Sequence, residues 1–194
     1  MVQRTKSKGG RGARQRILDA AAELFYREGI NATGVERLAT ESSVSKRTLY
    51  QHFPSKAAVV EAYLRSMEPR VADPLQPGAL AAERTPRERL LALFAVPAGL
   101  GAPMRGCPFH NAAVEAAGSM RGVQEIVRAN KRRFIDALSE LAGQAGAGDP
   151  QLLADQLAVL YEGAASLATS LDDPSPWAQA HAAAETLIDQ ALTD

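Results

Sequence analysis

The chain is short of the features that anchor several classes of function. One cysteine, Cys107, occurs in 194 residues. No disulfide can form within the chain, and the lone thiol suits a reducing compartment. Aromatic residues make up only 5%, while alanine is plentiful, a balance that favours closely packed helices. No run of about twenty uncharged apolar residues occurs, so nothing reads as a membrane span. The basic amino terminus is not followed by the apolar segment of a secretory signal, and a cytoplasmic location is the expectation. Alternating apolar and polar residues between glycine-rich turns are missing, so no strand is expected. No internal repeat or heptad array stands out.

Net charge is also missing, but only as a total. Residues 1–70 hold 13 Lys and Arg against 7 Asp and Glu, whereas residues 71–194 hold 9 against 15. A basic amino-terminal part joined to an acidic remainder fits nucleic-acid binding at one end and a different task at the other. Residues 1–12 carry Arg4, Lys6, Lys8 and Arg11 with no acid. They read as a flexible basic arm, either a solvated tail or a segment that orders on DNA.

The most informative stretch is TGVERLATESSVSKRTLYQHFPSK, from Thr33 to Lys56. Thr33 with Glu36 has the spacing of a capping box, which predicts a first helix with Val35, Leu38 and Ala39 on one face. Ser42 and Ser43 interrupt it, Val44 plugs a tight turn, and Ser45 is a good N-cap for a second helix from Lys46 to His52. Pro54 forces the end of that helix near Phe53. At 100° per residue Leu49 and Phe53 point inward together, and Arg47 and Gln51 lie opposite with Thr48 and Tyr50 on the flanks. So polar a helix is poorly explained as core. It suits a DNA major groove, with base edges read at its centre and phosphates met at its sides.

VSKRTLYQHFPSK, preceded by REGINATGVERLA, resembles the DNA-binding domain of the TetR-like (TetR/AcrR) transcriptional regulators from Arg14 to about Leu64. Two positions depart from that pattern. Ser43 stands where the turn usually has glycine, so it must accept a left-handed or otherwise strained backbone. Arg47 stands where a small residue is common, which points to a distinct operator. The resemblance implies an all-α protein of about nine helices, with a helix-turn-helix domain over 13–54 and a ligand-binding and dimerisation domain over 55–194. It implies a homodimeric DNA-binding regulator, a repressor released from a palindromic operator by a small effector, and not an enzyme. The DNA contacts would come from Thr33, Ser45, Lys46, Arg47, Thr48, Tyr50, Gln51, His52 and Lys56.

Helical patterning continues along the chain. Ile17, Leu18, Ala21, Leu24 and Phe25 predict an amphipathic helix from Arg14 to Glu28, with Gly29 after its end. A fourth helix starts at Ser55 and is expected to stop before Pro69. A Pro/Gly-containing connector follows, after which Thr85 caps a helix opened by Pro86. GLGAP reads as a loop and Pro108 opens a short helix through Ala116. A long helix covers about Arg121 to Leu141. Asp149 caps the next, through Leu171, and a final helix runs from about Pro176 to Leu192.

In the eighth helix Leu153, Leu157, Leu160 and Leu167 are expected to form one apolar stripe. Beside them Val159, Gly163, Ser166 and Ser170 make a row of small residues that admits close approach of another helix, from the same chain or from a second copy. The resemblance favours a second copy and adds Trp177, His181 and Ile188 to the dimer surface. RGCPFHNAAVE is the most unusual stretch of the body. Cys107 with His110 is half of a zinc site, but no second pair exists, so no metal or other cofactor is expected. As a nucleophilic pair it lacks an orienting partner. The plain reading makes Cys107 a small buried hydrophobe and His110 a satisfied polar side chain. The functional reading makes His110 or Asn111 orient a small molecule, or Cys107 sense oxidants or electrophiles. Phe94, Phe134, Tyr161 and Trp177 would then be apolar walls, though each also suits the core, and Phe109 is a further ligand-binding candidate. A helical small-molecule-binding protein or enzyme built on the Cys107/His110 region is the alternative. It leaves the Thr33–Lys56 pattern and the charge asymmetry unexplained.

Overall fold

The structure, a computed structural model, describes residues 11–71, 84–95 and 106–193. Residues 1–10 of the predicted 1–12 arm, most of the Pro/Gly connector and the GLGAP loop lie outside the described residues, while Arg11 and Gly12 already belong to the first helix. Nine helices and no strand occur among the described residues: α1 (Arg11–Arg27), α2 (Val35–Glu41), α3 (Lys46–His52), α4 (Lys56–Val71), α5 (Pro86–Ala92), α6 (Pro108–Glu115), α7 (Arg121–Ala145), α8 (Pro150–Leu171) and α9 (Ser175–Ala191). They divide into two compact units. The first comprises the described residues up to Ser66 with Pro108–Ile126, and the second the described part of Met67–Cys107 with Val127–Asp194.

The first unit is built on α1. Its predicted stripe, Ile17, Leu18, Ala21, Leu24 and Phe25, is buried, together with Leu38 and Ala39 of α2 and Leu49 of α3. Phe25 meets Tyr63 of α4 edge-on, ring centroids 5.6 Å apart. Phe109 and Ala112 of α6 are fully buried in their turn. Helices of seven residues are too short to hold alone, so α2 and α3 owe their place to this packing. Cutting back Leu49 to alanine would cost about 2–5 kcal/mol.

The Thr33/Glu36 capping box does not form. Gly34 is the N-cap of α2 and no side chain caps it. The Thr33 hydroxyl instead donates to the carbonyl of Gly29 at 2.7 Å, bracing the turn before α2. A capping box does form at Thr85, where the hydroxyl accepts from the Glu88 amide and the Glu88 carboxylate takes the Thr85 amide. The fourth helix also runs past Pro69 to Val71. A proline there removes one amide donor, so the last turn of α4 lacks one i→i−4 hydrogen bond.

The second unit packs α5, α7, α8 and α9. Leu90, Leu91 and Phe94, Leu138 and Leu141, Leu153 and Leu157, and Trp177 and Ile188 share one core. Leu167 is not part of that stripe: it is 56% exposed. The buried line of α8 passes through Ala164 and Ala168 instead. At 100° per residue that line carries Leu167 around toward Gly163 and Ser170.

Candidate nucleic-acid interface

Ser45 sets the start of α3. Its hydroxyl accepts from the Thr48 amide at 3.0 Å and shares a second hydrogen bond with the Thr48 hydroxyl at 2.8 Å. An N-cap of this kind is worth about 1 kcal/mol. The preceding turn is a Schellman closure: Val44 donates to the carbonyl of Ala39 and Ser43 to that of Thr40. It requires a left-handed residue, and Ser43 supplies it with φ 51°. Ser42 is buried, its hydroxyl on the carbonyl of Leu38 and its own carbonyl accepting Arg16 Nε at 3.0 Å. Behind α3, the Arg14 guanidinium lies 5.3 Å from the centre of the Phe53 ring.

Leu49 and Phe53 are buried, as their spacing requires. Arg47 and Gln51 are exposed, Tyr50 is 43% exposed, and Thr48 and His52 are half-buried. Lys46 is ion-paired with Glu36 of α2, a partner that the sequence pattern does not announce. Lys56 opens α4, and its ammonium is 3.5 Å from the carbonyl of Asn31. Burial lowers its pKa from the ordinary lysine value, against the opposing pull of the Glu115 carboxylate. Thr33 is fully buried with its hydroxyl occupied by Gly29, so it presents no donor to a phosphate. The arrangement offers one exposed Arg/Gln face flanked by hydroxyls, with lysines at its margins.

Comparison with known proteins fits this geometry. Residues 17–63 match the family described as bacterial regulatory proteins, tetR family. A TetR transcriptional regulator of Streptomyces avermitilis is 33% identical, with a TM-score of 0.81 over 92% of this chain and 97% of that one. The chain belongs to the TetR family. It is a DNA-binding transcriptional regulator of helix-turn-helix type.

Two curated relatives are similar over part of their length. The transcriptional repressor KstR2 of Rhodococcus jostii is 40% identical over 57 residues, 29% of this chain and 28% of that protein. The transcriptional activator FasR of Mycolicibacterium smegmatis is 42% identical over 82 residues, 41% of this chain and 36% of that protein. The chain thus spans about a quarter to a third of the length of the curated relatives it matches. One relative is named a repressor and the other an activator, so likeness over these stretches does not fix the sign of regulation.

In the second unit of this TetR-family chain, Tyr161 is the hub of an aromatic cluster. Its ring centroid lies 5.2 Å from Phe134, 5.2 Å from Trp177 and 6.2 Å from Phe94. Burial pushes its phenol up to about 12, helped by Cys107 and Glu162. Cys107 is half-buried, and Lys131 Nζ lies 3.6 Å from its sulfur while also pairing with Glu162. Gly106, just before it, has φ 68°, and a Cβ there would meet the Thr169 hydroxyl at 2.7 Å. The predicted ligand residues therefore separate. Phe94, Cys107, Phe134 and Tyr161 belong to the second unit, whereas Phe109, His110 and Asn111 belong to the first. Phe109 is buried there and His110 is exposed. Neither Lys131 nor Glu162 had a sequence signal: 31 residues separate them, and each reads alone as an ordinary surface charge.

The predicted dimer residues also divide. Val159 is 75% exposed, and Gly163, Ser166 and Ser170 are exposed beside it, with Leu152, Leu167 and Leu171 on the same side. Trp177 and Ile188 are buried in the protomer's own core and His181 is half-buried. Their bulk is spent on holding α9 to α8. No helix among the described residues is long and apolar enough to cross a membrane.

Proposed function

We propose that this protein is a homodimeric repressor, released from a palindromic operator by a small effector. The reading rests on the α3 face, where Arg47 and Gln51 are exposed opposite the buried Leu49 and Phe53. Arginine matches the O6 and N7 acceptors of guanine, and glutamine the N7 and N6 groups of adenine. Ser45, Thr48, Tyr50 and His52 would contact the backbone, with Lys46 and Lys56 on phosphates. Residues 13–54 would form the DNA-binding head and 55–194 the effector-binding and dimerisation body. The exposed α8 row of Val159, Gly163, Ser166 and Ser170 would meet its symmetry mate, placing two heads for two half-sites.

The effector would be a weakly polar, largely apolar molecule, taken against the aromatic residues around Tyr161. A second version has a specific observation in its favour: Cys107 is half-buried with the Lys131 ammonium 3.6 Å from its sulfur, and the effector would then be an oxidant or electrophile that reacts with that thiol. A Cys107→Ser protein that still releases DNA in response to its effector rules out thiol chemistry and leaves reversible binding.

Titration against random and palindromic DNA at two salt concentrations tests the whole reading. A sequence-specific dimer favours the selected palindrome by about 10³-fold or more. Equal affinity for both DNAs would make the protein a sequence-indifferent binder.

A further inference from the structure

One contact in the first unit spans 84 residues of sequence. Glu115, the last residue of α6, holds Asn31 in the turn between α1 and α2. The Asn31 amide donates to Glu115 Oε2 at 2.7 Å, and the Asn31 side-chain amide donates to the Glu115 carbonyl at 3.1 Å. Two donors from one residue thus meet a carboxylate and a helix-end carbonyl. The first bond is charge-assisted, and its length is typical of that stronger class. Gly29 leaves room for the carboxylate, since a Cβ there would lie 3.1 and 3.3 Å from its two oxygens. Its φ of 96° is also a conformation that side chains other than glycine rarely adopt. On the other side of the turn, the Thr33 hydroxyl holds the Gly29 carbonyl.

We propose that Glu115 and Asn31 are positioning residues for operator binding, clasping the end of α6 to the turn from which α2 and α3 are hung. The proposal rests on the DNA-binding reading of α3. Helices of seven residues take their orientation from the ties around them. The clasp fixes the turn that delivers Thr33 to the core and Gly34 to the N-cap of α2. Base-edge hydrogen bonds depend on that orientation, whereas attraction to phosphates depends mainly on charge. Loss of the clasp therefore falls on the selected operator and spares random DNA.

The test uses the full-length protein and a DNA site selected by the wild type from a random library. Affinity for that site and for random DNA is measured at two salt concentrations for wild type, Glu115→Ala, Asn31→Ala, the double variant and Glu115→Gln. Amide hydrogen exchange is followed over residues 28–34. Each alanine variant should lose about two- to tenfold on the selected site, the worth of a net hydrogen bond or two. The double variant, which loses both bonds where each single loses one, should bind the selected site more weakly than either single; random-DNA affinity and salt slope should hold, and exchange in the turn should rise. Glu115→Gln, whose amide oxygen still accepts from Asn31, should keep most of the affinity. Wild-type operator affinity in both alanine variants would overturn the proposal. So would equal losses on both DNAs with a lowered melting temperature, which would make the clasp a stability contact only. A wild type with no preferred site would instead defeat the sequence-specific reading beneath it.

Discussion

Lys46, the first residue of α3, is ion-paired with Glu36 of α2 across the helix-turn-helix. The hydrogen bond to Lys46 holds the Glu36 carboxyl below its ordinary range, and the same bond raises the Lys46 ammonium. The pair lies in open solvent, where screening keeps its contribution to stability small. With Lys46 on a phosphate, as proposed, that phosphate must compete with Glu36 for the same ammonium. Glu36→Gln should raise affinity for all DNA sequences. It should also steepen log K against log salt by up to about 0.9, the value of one phosphate contact. Titration at several salt concentrations checks both, and an unchanged slope would remove Lys46 from the phosphate contacts.

Ser43 holds a left-handed backbone where glycine carries no steric penalty. A side chain in that region costs about 1–2 kcal/mol, partly offset by the extra freedom glycine has when unfolded. Ser43→Gly should stabilise the head by about 0.5–1 kcal/mol. Urea unfolding would show a higher midpoint at constant slope; a lower midpoint would mean that the serine hydroxyl contributes more than the strain removes.

The α8 surface gives a test of assembly free of folding effects. A Cβ at Gly163 meets nothing within 4 Å in the protomer, so Gly163→Leu adds no clash inside the chain. If Gly163 faces its mate, the leucine forces two helices apart. Sedimentation should then show a weaker dimer, by tenfold or more for about 1.4 kcal/mol lost, with the helical spectrum intact. A dimer of wild-type strength would move the interface off this row.

Tyr161 predicts an alkaline weakness. Its folded pKa stands at about 12 against an ordinary 10, so the folded state keeps the proton longer than the unfolded state. This contribution is intact below pH 10, falls as pH rises above 10, and is gone above pH 12. Two pKa units correspond to about 2–3 kcal/mol. Tyr161→Phe should lose less stability than wild type between pH 10 and 12 in parallel denaturant titrations. Equal losses would show that other groups set the alkaline limit.

Much of this was legible in the residues, for identifiable reasons. Helix α3 was readable to the residue because Ser45 caps it, Pro54 follows it, and Leu49 and Phe53 fix its inner face. The left-handed Ser43 follows from the resemblance, in which that turn position usually holds glycine. The Thr33/Glu36 capping box was misread because spacing does not say which partner a side chain takes: a carbonyl in the preceding turn won Thr33, and Lys46 won Glu36. Leu167 was misassigned because a leucine at stripe spacing looks the same on either side of a helix edge. The Asn31–Glu115 clasp and the Lys131–Glu162 pair join residues far apart in sequence, and no local pattern announces such contacts.

The central claim is that α3 reads bases through Arg47. Arg47 is exposed, and among the described residues no side chain or carbonyl is recorded taking up its guanidinium. Selecting binding sites from a random library with wild type and Arg47→Ala in parallel tests it directly. The wild type should yield a palindrome whose half-site centres lie one helical turn apart or a simple multiple of it. Arg47→Ala should bind that site more weakly by about 1–3 kcal/mol and lose preference at one base pair in each half-site. Wild-type preference at every position in the Arg47→Ala selection would contradict the claim and mean that α3 docks on DNA by another face.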